Sequence, residues 1–124
     1  MALHESGQMY LEAVYVLLKK NEKIRAIDIG TYLGYSKPSV SRAVGILKND
    51  GYIAIDGEGH ITLTASGREV AAQLYERHTI LSDMLISLGV SEVAAQEDAC
   101  RIEHVISEKS FAAVKKHYLD YKKN

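Results

Sequence analysis

Residues 36–63 read SKPSVSRAVGILKNDGYIAIDGEGHITL, and this stretch decides the fold. Ser36 is a preferred residue at a helix N-cap and Pro38 suits a first helical turn, so the sequence predicts a helix that starts here and stops at Asp50. The apolar residues of its buried stripe recur at helical spacing: Val40, Val44 and Leu47. The runs YIAID and ITLT, joined by GEGH, then predict a β-hairpin.

Helical periodicity continues on both sides of this stretch. Thr64, Ser91 and Ser107 precede periodic segments as predicted N-caps, and Gly34 and Gly89 predict helix ends. The further predicted helices cover residues 5–20, 26–33, 65–88, 92–106 and 108–121, followed by a frayed tail at 122–124.

The order of these elements is typical of a winged helix-turn-helix, in which a short helix and a recognition helix meet at a tight turn before a hairpin wing. We therefore predict a mainly α fold. Residues 1–70 are expected to form the winged helix-turn-helix, and residues 71–124 an all-helical domain.

The opening turn of the predicted recognition helix carries small, hydroxylic and basic side chains. Hydroxyl groups and lysines can bind phosphates, an arginine can donate two hydrogen bonds to a guanine edge, and a proline can contact a thymine methyl. A capped amphipathic helix with a solvated basic face would share this pattern, but the order of the elements favours DNA. The predicted DNA contacts are Ser36, Lys37, Pro38, Ser39, Ser41 and Arg42. Since one such helix binds duplex DNA weakly, we expect a homodimer that reads paired half-sites.

Composition is that of an ordinary soluble globular protein: 124 residues, 47% hydrophobic, 25% charged and a formal net charge of −1. Charge is unevenly distributed, with seven Lys/Arg and five Asp/Glu through Asp50, and eight and eleven after it. The start, MALHESGQMY, lacks the layout of a secretion signal, and a single cysteine cannot form an internal disulfide. We expect a cytoplasmic protein without a membrane partner.

The second candidate site lies in residues 97–107, EDACRIEHVIS. Cys100, Glu103 and His104 stand at i, i+3 and i+4, which are positions on one face of a helix. A thiolate, a carboxylate and an imidazole on one face can converge on a divalent cation. The pattern is less specific than paired CxxC motifs, and a lone cysteine is more often a buried core residue.

Three further side chains could complete this metal shell. Met9 and Glu12 lie three residues apart on the first predicted helix, and His78 lies on the long helix. The alternative interpretations are a core position for Met9 and solvated positions for Glu12 and His78. The remaining histidines are not assigned to a site: His4, His60 and His117.

Several stretches in the same order resemble the metal-dependent repressors of the diphtheria-toxin-repressor type, including the manganese-transport-regulator branch. They are MYLEAVY, SKPSVSRAV, LTASGRE, YERH and EDACRIEHVIS. The resemblance implies a homodimeric repressor, whose C-terminal helices bind metal and dimerise and whose affinity for a palindromic operator is switched on by a divalent metal. It implies control of metal-ion homeostasis genes, and neither catalysis nor a small-molecule substrate.

The ligand set that the resemblance implies is mixed. The iron branch uses the positions Met9, Cys100, Glu103 and His104. The manganese branch adds Glu12, shares His78 with the iron branch, and has Asp and Glu in place of the methionine and cysteine. The iron branch's second metal site would need ligands where this chain has Ser82 and Gln96. We also expect no counterpart of the SH3-like third domain that many iron-branch members have.

Donor chemistry ranks the candidate metals. Thioether and thiolate are soft donors, whereas Mn(II) prefers hard oxygen ligands. We therefore favour Fe(II), with Mn(II) as the alternative and with Co(II), Ni(II) and Zn(II) expected to bind in vitro. Two other hypotheses are a winged-helix DNA-binding protein without a metal response and a small metalloenzyme with Cys100 as nucleophile. The enzyme is disfavoured because no residue of the motif clearly orients the His104 imidazole.

Overall fold

The computed structural model describes Leu3 and residues 5–123. These residues form six helices and a two-stranded antiparallel sheet, which confirms the predicted mainly α, winged helix-turn-helix architecture. The elements are α1 Glu5–Lys20, α2 Ala26–Leu33, α3 Lys37–Asn49, β1 Ile53–Ile55, β2 Ile61–Leu63, α4 Ala65–Ser87, α5 Glu92–Ile102 and α6 Glu108–Lys123. No helix in this described part of the chain is both long enough and apolar enough to cross a bilayer.

The chain divides into two compact units. The first unit ends at Ala72 and the second begins at Gln73, so α4 contributes its first turns to one unit and its remaining turns to the other.

The helix-turn-helix is defined by local capping. Gly34 ends α2 in the left-handed conformation (φ +73°), and its N–H donates to the Gly30 carbonyl at 2.8 Å. Ser36 then accepts a hydrogen bond from the Ser39 N–H at 3.3 Å and starts α3. The predicted inward stripe of α3 is buried as expected: Val40, Val44 and Leu47.

The core of the first unit joins α1, α2, α3 and the hairpin. Its largest fully buried side chains include Leu11, Ile24, Ile29, Leu47 and Ile61. The hairpin pairs β1 with β2, and the Ile61 N–H also donates to the Ile24 carbonyl at 2.9 Å. The wing is therefore attached to the helix-turn-helix by both apolar packing and a backbone hydrogen bond.

The start of α4 lies directly on the hairpin. The Thr64 N–H donates to the Tyr52 carbonyl at 3.1 Å, and the Thr64 hydroxyl donates to the Gly51 carbonyl at 2.7 Å. The same hydroxyl accepts from the Gly67 N–H at 3.1 Å, which is the predicted N-cap interaction. A Cβ at Gly67 would overlap the Tyr52 carbonyl, so only glycine permits this close approach.

The second unit has its own smaller core. Its buried apolar residues are Ile80, Leu81, Ala99 and Phe111, from α4, α5 and α6. An ion pair between Lys115 of α6 and Glu76 of α4, at 3.0 Å, adds an exposed contact between two of these helices.

Several predicted boundaries were wrong, and the helix predicted over residues 65–88 ends one residue earlier, at Ser87. α5 ends at Ile102 instead of residue 106, because the Val105 N–H turns back to the Ile102 carbonyl at 3.0 Å and tightens the chain. α6 continues through Lys123 instead of fraying at 122, with lysines in the last turn that complement the helix dipole. The strands have three residues each, shorter than predicted, because the Asp56 side chain accepts the backbone N–H groups of the turn.

Candidate metal centre and DNA-reading surface

The predicted DNA contacts lie at the exposed start of α3. All six are solvent-exposed: Ser36, Lys37, Pro38, Ser39, Ser41 and Arg42. The Ser36 hydroxyl donates to the Ser39 hydroxyl at 2.9 Å, which orders two of the small polar groups. The arrangement can present hydroxyl, ammonium and guanidinium donors to a groove and its phosphates.

The wing turn is ordered by Asp56. Its carboxylate accepts backbone hydrogen bonds from His60 at 2.8 Å and from Glu58 at 2.9 Å. The hydrogen bond from the His60 N–H, followed by those from the Glu58 N–H and the His60 ring, lowers the pKa of the Asp56 carboxyl below its ordinary value. Arg25, just before α2, donates from Nε to the Glu58 carbonyl at 3.1 Å and connects the turn to the helix-turn-helix.

The candidate metal centre lies at the end of α5. Cys100, Glu103 and His104 each offer one ligand atom, and these atoms lie within 4.8 Å of one another. The Glu103 side chain is 0% exposed, with Oε1 at 3.4 Å from His104 Nε2 and Oε2 at 3.6 Å from His78 Nδ1. Neither carboxylate oxygen accepts a hydrogen bond from the residues that the structure describes.

Arg77 binds the backbone segment that carries the side chains of Glu103 and His104. Its guanidinium donates to the carbonyls of Glu103 at 3.1 Å and Ile106 at 2.9 Å, and it lies 5.5 Å from the centre of the Phe111 ring. The sequence analysis missed this role, because carbonyl acceptors 26 and 29 residues away leave no signal in a sequence.

The side chains of this cluster fit a divalent transition metal. A buried carboxylate without hydrogen-bond donors is unfavourable unless a cation or other polar group compensates it. Sulfur, carboxylate oxygen and imidazole nitrogen together are ligands that such ions accept. The ion would supply the positive charge that the Glu103 oxygens face.

The other predicted ligands have different placements. His78 is brought against Glu103, whereas Met9 and Glu12 lie one turn apart on α1, in the first unit. His117 is exposed on α6, and His4 lies outside the described residues.

The fold places the chain in the class of winged helix-turn-helix proteins, and comparison with known proteins specifies the family. Residues 2–61 match the iron dependent repressor, N-terminal DNA binding domain. Residues 64–124 match the iron dependent repressor, metal binding and dimerisation domain. The chain belongs to the iron-dependent repressor (DtxR/MntR) family, which is a family of transcriptional repressors and not of enzymes.

Relatives from both metal branches are similar to this chain. Transcriptional regulator MntR of Escherichia coli O157:H7 is 34% identical over 104 residues, or 84% of this chain and 67% of MntR. Iron-dependent repressor IdeR of Mycobacterium tuberculosis strain H37Rv is 31% identical over 107 residues, or 86% of this chain and 46% of IdeR. The structure of the manganese regulator SloR aligns with a TM-score of 0.81 at 27% identity, covering 98% of this chain and 55% of SloR. The chain thus spans about half the length of IdeR and of the SloR structure.

Proposed function

We propose that this chain is a metal-gated transcriptional repressor that acts in the cytoplasm as a homodimer on a palindromic operator and controls metal-ion homeostasis genes. The observation that carries the proposal is the fully buried Glu103 carboxylate, with ligand atoms of Cys100 and His104 in the same 4.8 Å cluster. The match of residues 64–124 to a metal binding and dimerisation domain supports it.

The proposed ligands are Cys100, Glu103 and His104, joined by His78. Met9 and Glu12 are proposed as further ligands from α1. Bound here, a divalent ion would neutralise the buried Glu103 carboxylate and bind the turn after α5 to α4, in which His78 lies. Metal binding would thereby order the second unit.

Fe(II) is the proposed physiological metal, because thioether and thiolate ligands from Met9 and Cys100 favour it over Mn(II). Mn(II) is the second candidate. It is favoured by the hard carboxylate and imidazole donors at Glu103 and His104, and by the likeness to the manganese regulator SloR.

The proposed DNA contacts are those at the start of α3. Lys37 and the serine hydroxyls would hold phosphates, while Arg42 would read a base edge in the major groove. Metal and DNA binding to one protein are reciprocal, so operator must tighten metal affinity by the factor by which metal tightens operator affinity.

The test compares ligand variants with matched controls from the same unit. Glu103→Gln and His104→Ala remove proposed ligands, whereas Glu97→Gln and His117→Ala make the same changes at exposed positions of α5 and α6. Loss of a residue that only orients a ligand typically costs about 10–100-fold in metal affinity, and loss of a ligand should cost at least as much. Metal affinity is measured anaerobically by titration, and operator affinity is measured with metal and with chelator.

The proposal expects both ligand variants to lose metal-dependent operator binding while both controls retain it. Equal operator affinity of Glu103→Gln and wild type in metal, with folding intact by circular dichroism, would contradict a metal role for the cluster. Operator binding that persists in chelator would instead favour a winged-helix protein without a metal response.

A further inference from the structure

Ser82 of α4 is a buried hydroxyl group with an unusual environment. The residue is only 6% exposed, and its Oγ makes no hydrogen bond within the described residues. Neighbouring hydroxyls of the same helix bond back to its carbonyls: Thr79 to Tyr75 at 3.0 Å and Ser87 to Met84 at 2.6 Å. Ser82 Oγ makes no such bond to the α4 backbone within the described residues.

Ser82 lies one helical turn from His78, a proposed ligand of the metal cluster. His78 and Ser82 stand at i and i+4 on α4 and share one helix face. His78 Nδ1 lies 3.6 Å from Glu103 Oε2. In the described part of the second unit, Ser82 and Glu103 are also the residues with buried side-chain oxygens that make no hydrogen bond.

We propose that Ser82 is a positioning residue of the metal site, and that its hydroxyl binds a water molecule in the coordination shell of the ion. This proposal rests on the proposed function. Water commonly fills the positions that protein ligands leave open around a divalent ion. A metal-bound water is a strong hydrogen-bond donor, and a serine oxygen can accept from it. In a buried site the water needs such partners.

The size of the serine side chain matters for this role. The serine side chain is short, so its hydroxyl would act on the ion through a bridging water instead of binding the ion directly. The hydroxyl is also neutral, so it can hold the water without adding negative charge beside Glu103.

The test compares Ser82→Ala with Ser87→Ala, which removes a hydroxyl from the same helix outside the cluster. Fe(II) and Co(II) affinities are measured anaerobically by direct titration, together with the visible spectrum of the Co(II) form and thermal unfolding of the metal-free protein. We expect Ser82→Ala to weaken metal binding about 10-fold or more, and Ser87→Ala to leave it unchanged. The Co(II) bands of Ser82→Ala should shift because the water ligand is lost, while the metal-free protein is as stable as wild type or more so.

A loss of less than about threefold in metal affinity would overturn the role of Ser82. A weakened affinity with an unchanged Co(II) spectrum would also overturn it, since a purely structural effect would leave the coordination shell intact. Failure of the proposed function gives a different result, in which wild type itself binds neither ion, and the Ser82 proposal then fails with it.

Discussion

The contact between α4 and the hairpin predicts opposite effects for two glycine-to-alanine substitutions. Gly67 lies in the first turn of α4, and a Cβ there would overlap the Tyr52 carbonyl oxygen, at 2.9 Å from its carbon and 3.2 Å from Cα. Gly45 lies inside α3, with no atom within 4 Å of the position that its Cβ would take. Both positions are helical, so alanine is intrinsically preferred at each.

The size of the Gly67→Ala effect follows from the bonds that must move. Relief of the overlap displaces α4 from the hairpin and strains the two hydrogen bonds of Thr64 to Tyr52 and Gly51 and the cap from Gly67. At about 1 kcal/mol net for each of the three bonds and about 1–3 kcal/mol for overpacking, offset by about 1 kcal/mol of helix propensity gained with alanine, the loss should be about 3–5 kcal/mol. Gly45→Ala should instead stabilise the protein by about 0.5–1 kcal/mol.

The assay is equilibrium urea unfolding of the metal-free protein, followed by far-ultraviolet circular dichroism at one protein concentration for all variants. Gly67→Ala should lower the midpoint and Gly45→Ala should raise it, without a change in the slope. A neutral or stabilising Gly67→Ala would refute the close approach of α4 to Tyr52, and with it the attachment of the wing to α4.

Three further predictions concern the metal, the DNA and the wing. Met9→Asp combined with Cys100→Glu should shift preference towards Mn(II) in competition titrations, since hard donors replace soft ones, and an unchanged metal ranking would count against both ligands. Arg42→Ala should weaken operator binding by about 1–3 kcal/mol and relax specificity at one base pair, while Lys109→Ala, exposed on α6, should change neither. Because backbone N–H groups lower the pKa of the Asp56 carboxyl, its stabilising effect is present above the unfolded pKa of about 3.9 and is lost as pH falls through the folded value. The difference in thermal midpoint between wild type and Asp56→Asn should therefore shrink from about pH 5 to about pH 2, and a pH-independent difference would rule out this contribution.

Helix starts could be predicted from the sequence because N-caps are local. Ser36, Thr64, Ser91 and Ser107 each accept the hydrogen bond that defines a cap. The end of α5 could not be predicted in this way, because the tightened turn after Ile102 is accompanied by hydrogen bonds from Arg77 of α4 to two of its carbonyls. These tertiary hydrogen bonds stabilise the turn, and a local sequence pattern does not reveal them.

The candidate metal site likewise has some features that the sequence predicts and others that depend on tertiary packing. The spacing of Cys100, Glu103 and His104 is visible in the sequence, and it predicts that the three can share a face. The complete burial of Glu103 and the approach of His78 depend on the packing of α4 against the turn, which one-dimensional spacing does not contain. The burial of the Ser82 hydroxyl could not be predicted for the same reason, since a single serine within a helix is compatible with either an exposed or a buried position.

The measurement that tests metal gating most directly is an anaerobic selection of bound duplexes from random DNA with Fe(II), with Mn(II) and with chelator. A metal-gated dimer should enrich a palindrome only when metal is present, and the more effective ion identifies the physiological branch. Enrichment of the same palindrome in chelator would contradict the account, because the cluster of Cys100, Glu103 and His104 would then have no part in DNA recognition.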